Sequence, residues 1–326
     1  MVLRKPLLIL APLAGFTGSA FRRLARKFGA EITWTELISA KMILTKGLEG
    51  PLLHLTPEER PLRFQLHGSD PEDVASAAQE VMLHLRPDGL DLNAGCPAPK
   101  IIQNGAGAAL LKDLPKLFEI ARMMRQVASA FGVEASAKFR LGFEQDIMEQ
   151  IAETLLKAGI KILALHPRTA KQGFSGKAHW ERVRDLKRLV GQEALVFLSG
   201  DIHTWKDFYR AYEETGCDGI MIGRAALKRP WIFREIKEKR TLEFDLSDRI
   251  RLLQGLFHTL CEYMHEERAW KVTKLFIPKF LHGLPGRKKV VSRLLDVKDL
   301  ETFKAFLLEK DEINHLTFDE PPEAHR

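Results

Sequence analysis

Short apolar runs recur along the chain at Leu7–Leu10, Glu31–Trp34, Leu62–Leu66, Gly89–Leu92, Ala135–Phe139, Ile162–Leu165, Leu195–Leu198 and Gly219–Ile222, with helical patterns between them. Most of the runs are apolar on successive residues rather than on alternate ones. That is the pattern of parallel strands covered on both faces, whereas a half-solvated antiparallel sheet alternates. The intervening stretches carry helix-start signals. In Ser69-Asp70-Pro71-Glu72, a capping side chain precedes a proline suited to the first turn and an acid favoured there by the helix dipole. The segment Glu72–Leu85 then puts Val74, Ala77, Ala78, Val81 and Leu85 on one face.

Eight strand–helix units in about 240 residues predict an α/β fold of the (β/α)8 TIM-barrel kind, with a doubly wound open sheet as the runner-up. No Gly-x-Gly-x-x-Gly follows the first run, which weakens the open sheet. After Trp231-Ile232-Phe233-Arg234-Glu235 the strand-like runs stop and amphipathic helical text continues from about Asp248 to Lys310. The expected division is a barrel over residues 1–240 and an all-helical domain over 241–326, with a loosely held end at Asp311–Arg326.

Charge sharpens this division. The 326 residues carry a formal net charge of +7, and between Arg268 and Leu295 there are eight Lys and Arg residues and no Asp or Glu. Such a stretch is a candidate phosphate-facing surface. No apolar run has the length of a membrane span, and the hydrophobic stretch after Met-Val-Leu-Arg-Lys-Pro is short for a secretion signal, so a cytoplasmic location is expected. The three cysteines are widely spaced without a Cys-x-x-Cys pair, which supports neither a disulfide framework nor a metal site.

In a barrel, the residues just after each strand form the active face. Polar residues gather there: Gln65 after the third run, Asn93 to Pro97 after the fourth, Lys138 and Arg140 after the fifth, and His166 and Arg168 after the sixth. Ser199-Gly200-Asp201 and Gly223-Arg224 close the last two. Those two loops can hold a phosphate on backbone N–H groups and the Arg224 guanidinium, or their glycines can serve only tight turns. Lys138 suits either a positive charge beside an electron-accepting ring or an ion pair inside the barrel. His166 is either a cofactor-facing residue or a satisfied histidine. Cys96, in a rigid turn between Gly95 and Pro97, reads as a nucleophile, a proton donor or an unreactive turn residue, while Cys217 and Cys261 read as packing residues.

These residues resemble the tRNA-dihydrouridine synthases, in particular the bacterial type. The resemblance spans nearly the whole chain: Ala-Pro-Leu-Ala-Gly-Phe-Thr-Gly from Ala11, Gln65 with Gly68-Ser69-Asp70-Pro71, Asp91 to Pro97 with Lys100-Ile101, Gly105 to Leu111, Lys138-Phe139-Arg140-Leu141-Gly142, His166-Pro167-Arg168-Thr169, and Ile222-Gly223-Arg224-Ala225. The helical region joins it with Phe280-Leu281-His282-Gly283-Leu284-Pro285-Gly286. The resemblance implies an FMN enzyme that reduces the C5–C6 double bond of uridines in tRNA, with NADPH as reductant and no obligate protein partner. It implies Cys96 as the catalytic acid. Pro12, Leu13, Gln65, Lys138, His166, Ser199, Gly200, Asp201, Gly223 and Arg224 are then expected at the cofactor, and Asn93, Lys100, Arg140 and Arg168 at the substrate. Two positions depart from the family pattern: Ser199 stands in place of an asparagine, and Lys228 in place of a glycine. A serine hydroxyl can still donate to a phosphate oxygen.

Overall fold

A computed structural model describes residues 6–303. The end read as loosely held, Asp311–Arg326, lies outside these residues. Nine parallel strands make up one sheet: β1 (Leu7–Leu10), β2 (Thr33–Trp34), β3 (Ile38–Ser39), β4 (Leu62–His67), β5 (Gly89–Ala94), β6 (Glu134–Arg140), β7 (Ile162–His166), β8 (Leu195–Ser199) and β9 (Gly219–Ile222). The order runs β1-β9-β8-β7-β6-β5-β4-β2. A bridge between Ile9 and Ile32, with the Leu10 amide donating to the Ile32 carbonyl at 3.0 Å, joins β1 to the approach to β2 and closes the barrel. All eight expected runs are strands, and the short β3, unmarked by any apolar run, adds to the edge of β4.

Helices cover the outside, and their starts follow the sequence signals. The helix Pro71–His84 is capped by Asp70, whose side chain accepts from the Asp73 amide at 2.9 Å, and it buries Val74, Ala77, Ala78 and Val81. These side chains belong to the large core between helices and sheet. Truncating one of the large aliphatic residues in such a core costs about 2–5 kcal/mol.

The inside of the barrel is built from alternate residues, because successive strand side chains point to opposite faces. One half is apolar: Ile9, Ala11, Trp34, Ile162, Ala164, Phe197 and Met221 pack together. Gly219 leaves the room, since a Cβ there would lie 2.8 Å from both Ile9 and Phe197. The other half is polar. Arg63 on β4 donates to the Ser136 hydroxyl on β6 at 2.9 Å, and Asp91 on β5 accepts from Ser136 and from Gln65. Burial lowers the Arg63 pKa to about 10 and raises that of Asp91, as expected of charges withdrawn from water.

From Leu246 onward the described chain is helical: Leu246–Cys261, Glu266–Phe280 and Arg287–Asp296. Phe276 packs on Phe16 and Phe21, each at 5.4 Å between ring centroids, so this region seats against the first strand–helix unit beside the active face. No helix among the described residues is long and apolar enough to cross a membrane.

Candidate active site

A cavity of about 340 Å3 opens at the C-terminal ends of the strands. Pro12, Leu13, Gln65, Asn93, Cys96, Lys138 and Arg140 all line it. Register brings them together, because Gln65 is opposite Asp91, Asn93 opposite Lys138, and Arg140 opposite His166.

A relay of hydrogen bonds runs from the barrel interior to the cysteine. Gln65 donates to Asp91 at 2.7 Å, and the Asn93 amide donates to Gln65 Oε1 at 2.9 Å. Asn93 Oδ1 then accepts from the backbone amide of Cys96 at 2.9 Å. The loop is held from its other sides as well. The Cys96 carbonyl accepts from the Ala108 amide at 3.0 Å, and Arg140 Nε donates to the Gly95 carbonyl at 2.9 Å. Gly107, at φ +60°, lies so close that a Cβ would come within 2.8 Å of that carbonyl. Cys96 is half-buried, unlike Cys217, whose thiol is buried and pushed up to about 11 by desolvation.

Lys138 makes no hydrogen bond or ion pair among the described residues, which disposes of the interior ion pair as its role. Burial, aided by the nearby Arg140 charge, lowers its pKa to about 8. His166 ends the neighbouring strand, opposite Arg140. Burial and the charges of Lys138, Arg140, Arg168 and Arg224 drive its pKa far below the ordinary value, so the ring is neutral. Arg168 Nη1 sits 3.1 Å from His166 Nε2. A guanidinium only donates, so Nε2 is the acceptor and Nδ1 carries the proton.

Arg168 is fully buried and spends its remaining donors on Asp201, at 2.7 and 2.9 Å, and on the carbonyls of Ser175 and Gly176. It does not line the cavity. Arg140 gives Nη1 to the carbonyls of Thr169 and Gly173, at 2.9 and 2.8 Å, and Nη2 makes no hydrogen bond among the described residues. Lys100, on the short helix Pro99–Gln103, is exposed outside the cavity wall.

The last two strand ends meet beside His166. Gly200, at φ +135°, presses on the imidazole: a Cβ would lie 2.9 Å from its Cδ2. Gly223 has φ −106° and ψ −98°, outside the helical and extended regions, although a Cβ there would meet Leu13 and Ala11 at ordinary contact distance. Asp201 stays below the usual carboxylate range; burial opposes this, but hydrogen bonds from Arg168 and the Ala178 amide outweigh it. Arg224 reaches toward Asp201 at 3.7 Å and is half exposed. Ser199 ends β8 with little exposure.

Phe174 and Leu37 also line the cavity and were not marked in the sequence. The Phe174 ring, 58% exposed, covers the Arg224 guanidinium at 4.5 Å and lies 6.0 Å from the His166 ring. Its flanking glycines, Gly173 and Gly176, both at positive φ, were the available signal of a shaped loop.

A family model described as dihydrouridine synthase (Dus) matches residues 9–314. The chain belongs to the dihydrouridine synthase family. A protein of Aquifex aeolicus named "Probable tRNA-dihydrouridine synthase" is 42% identical over 299 residues, covering 92% of this chain and 94% of that one. The "tRNA-dihydrouridine synthase B" of Pseudomonas aeruginosa is 33% identical over 302 residues, covering 90% and 89%. The solved structure of histamine dehydrogenase from Rhizobium shares the fold, with a TM-score of 0.53 at 13% identity over 79% of this chain and 49% of that one.

Proposed function

We propose that this protein is a flavin-dependent tRNA-dihydrouridine synthase that reduces the C5–C6 double bond of selected uridines, with FMN as cofactor and NADPH as reductant. The observation that supports this most is the convergence of Cys96, Asn93, Lys138 and Arg140 on one cavity, at the ends of adjacent strands, in a chain of this family. The residues fit such a cofactor. Lys138 presents an amine with no protein partner, and Gly200 gives up its side chain where the backbone meets a neutral His166.

Hydride delivery to C6 of the uracil is the chemistry that FMN supplies when bound. Lys138 and His166 would hold its ring system, with Gln65 and the Pro12-Leu13 backbone at its edge. Ser199, Gly200, Asp201, Gly223 and Arg224 are assigned to its phosphate, with Arg224 as the charge-bearing donor. Asn93 and Arg140 are assigned to the uracil. Addition at C6 pushes electrons onto the C4 carbonyl, and the resulting enolate needs a proton at C5. Cys96 gives that proton, and solvent restores the thiol. Its backbone is pinned by Asn93, so the sulfur is aimed before the base arrives. Arg168 acts through others: it orients His166 and Asp201 and shapes the loop that carries Phe174.

The helical region from residue 241 is assigned to the RNA. Arg268, Lys271, Lys288, Lys289 and Arg293 are exposed, as a phosphate-gripping surface requires. Lys274 is withdrawn from that set, because its amine donates to the carbonyls of Leu295 and Val297 at 3.0 and 2.6 Å. The test is direct: the purified protein is expected to carry FMN, and tRNA from cells lacking it is expected to lose dihydrouridine at defined positions. A colourless protein, or an unchanged dihydrouridine map, would refute the assignment.

A further inference from the structure

A second cavity, of about 280 Å3, lies between the barrel mouth and the helical region. We propose that it seats a second, unstacked nucleobase of the same RNA strand that delivers uridine to the first cavity, an inference that rests on the function proposed above.

Ala14 and Leu37 line the first cavity, and the adjoining residues Gly15 and Glu36 line the second. A hydrogen bond from the Gly15 amide to Glu36 ties the two loops together at this point. Two cavities one residue apart on two loops suit neighbouring nucleotides of one strand.

The lining is mostly apolar. Phe16 and Phe276 meet edge to face at 5.4 Å, and Leu260, Met264, Val272 and Leu275 continue the apolar wall. Two polar groups stand within it. Both border Gly18, where a Cβ would lie 3.8 Å from Glu36 Oε1 and 4.0 Å from the Tyr263 hydroxyl. Glu36 makes no ion pair among the described residues and has Oε1 free to accept. Tyr263 accepts from the Ala20 amide at 3.2 Å and keeps its own proton to donate, while its ring is braced flat against His54 at 4.3 Å.

An apolar slot with one acceptor and one donor matches a flat heterocycle that is read on its edge, the way proteins recognise unstacked RNA bases. The rim matches the phosphate that must accompany such a base. Arg268 is exposed at the opening of the acid-free stretch, and the Lys279 amine lies 5.7 Å from the Phe16 ring. An apolar peptide side chain would fill the slot but strip water from Glu36 and Tyr263 without replacing its hydrogen bonds.

The experiment uses the flavin-loaded enzyme and an RNA carrying the target uridine, with each nearby nucleotide made abasic in turn. One such position is expected to weaken RNA binding about tenfold or more, the value of a stacked base, with kcat at saturation preserved. Glu36→Gln with Tyr263→Phe should weaken binding of the intact RNA by a comparable factor and erase the difference between intact and abasic RNA. A second probe reads position rather than affinity: benzoylphenylalanine in place of Leu275, a wall residue that is 49% exposed, should photo-crosslink to that same nucleotide. Abasic substitutions without effect, variants that still discriminate, or crosslinks scattered over the RNA would each overturn the proposal. Binding and crosslinking are read without turnover. A wild-type enzyme that binds RNA but forms no dihydrouridine would therefore count against the function and leave this site standing.

Discussion

The barrel mouth and the helical region both carry arginines and lysines, under opposite constraints. Arg140 and Arg168 are buried, and backbone carbonyls or Asp201 take most of their donors. Lys288, Lys289 and Arg293 are exposed and make no ion pair among the described residues. The difference suits the tasks proposed for the two regions. Chemistry at one carbon atom needs groups fixed before the substrate arrives, and those groups are fixed by spending hydrogen bonds on them. Holding a polyanion needs only charge at the right distance, and flexible exposed side chains supply it.

If the mouth is a preorganised unit, loosening one link should cost far more than removing surface charge. Asn93→Ala removes the acceptor that pins the Cys96 amide and is expected to lower turnover about 100-fold. It should also cost about 1–3 kcal/mol of stability, read by urea denaturation. A variant of normal turnover would mean that the relay does not aim the thiol. For the helical region, reversing both Lys288→Glu and Lys289→Glu should weaken tRNA binding roughly tenfold, reduce the salt slope by about 2 and leave kcat unchanged. An unchanged salt slope would remove these residues from the RNA surface.

The smallest effect concerns Lys138 in the flavin-free protein. Its pKa is about 8 in the fold against 10.5 for a free lysine. Between these values the unfolded chain binds more protons, so this group makes stability rise with pH from about 8 to 10.5 and adds nothing beyond. The melting temperature of the wild type should therefore gain a few degrees on Lys138→Met between pH 7.5 and pH 10. Parallel melting curves would show that the amine is solvated.

Much of this was legible in the sequence. The strands announce themselves as apolar runs because a parallel barrel covers both faces, and the mouth residues follow from their places at the strand ends. Gln65, Asn93, Lys138 and Arg140 reach one cavity because neighbouring parallel strands carry them at matching depth. What stayed hidden is how donors are spent. A strand-end arginine reads alike whether it keeps one nitrogen unspent at the cavity, like Arg140, or is consumed like Arg168 by loop carbonyls distant in sequence. Lys274 looked like part of a basic face and instead caps the chain after Leu295. Phe174 and Glu36 lie in loops with no periodic pattern, so only tertiary structure puts them at the two cavities.

The central claim is that Cys96 protonates C5 in a site that binds cofactor and RNA without it. A single turnover with pre-reduced flavin enzyme and tRNA, comparing wild type with Cys96→Ala at equal RNA occupancy, tests that claim most directly. The account predicts equal flavin content and equal RNA binding, with dihydrouridine formation slowed by about 100-fold or more in the variant. Dihydrouridine appearing at the wild-type rate would contradict it.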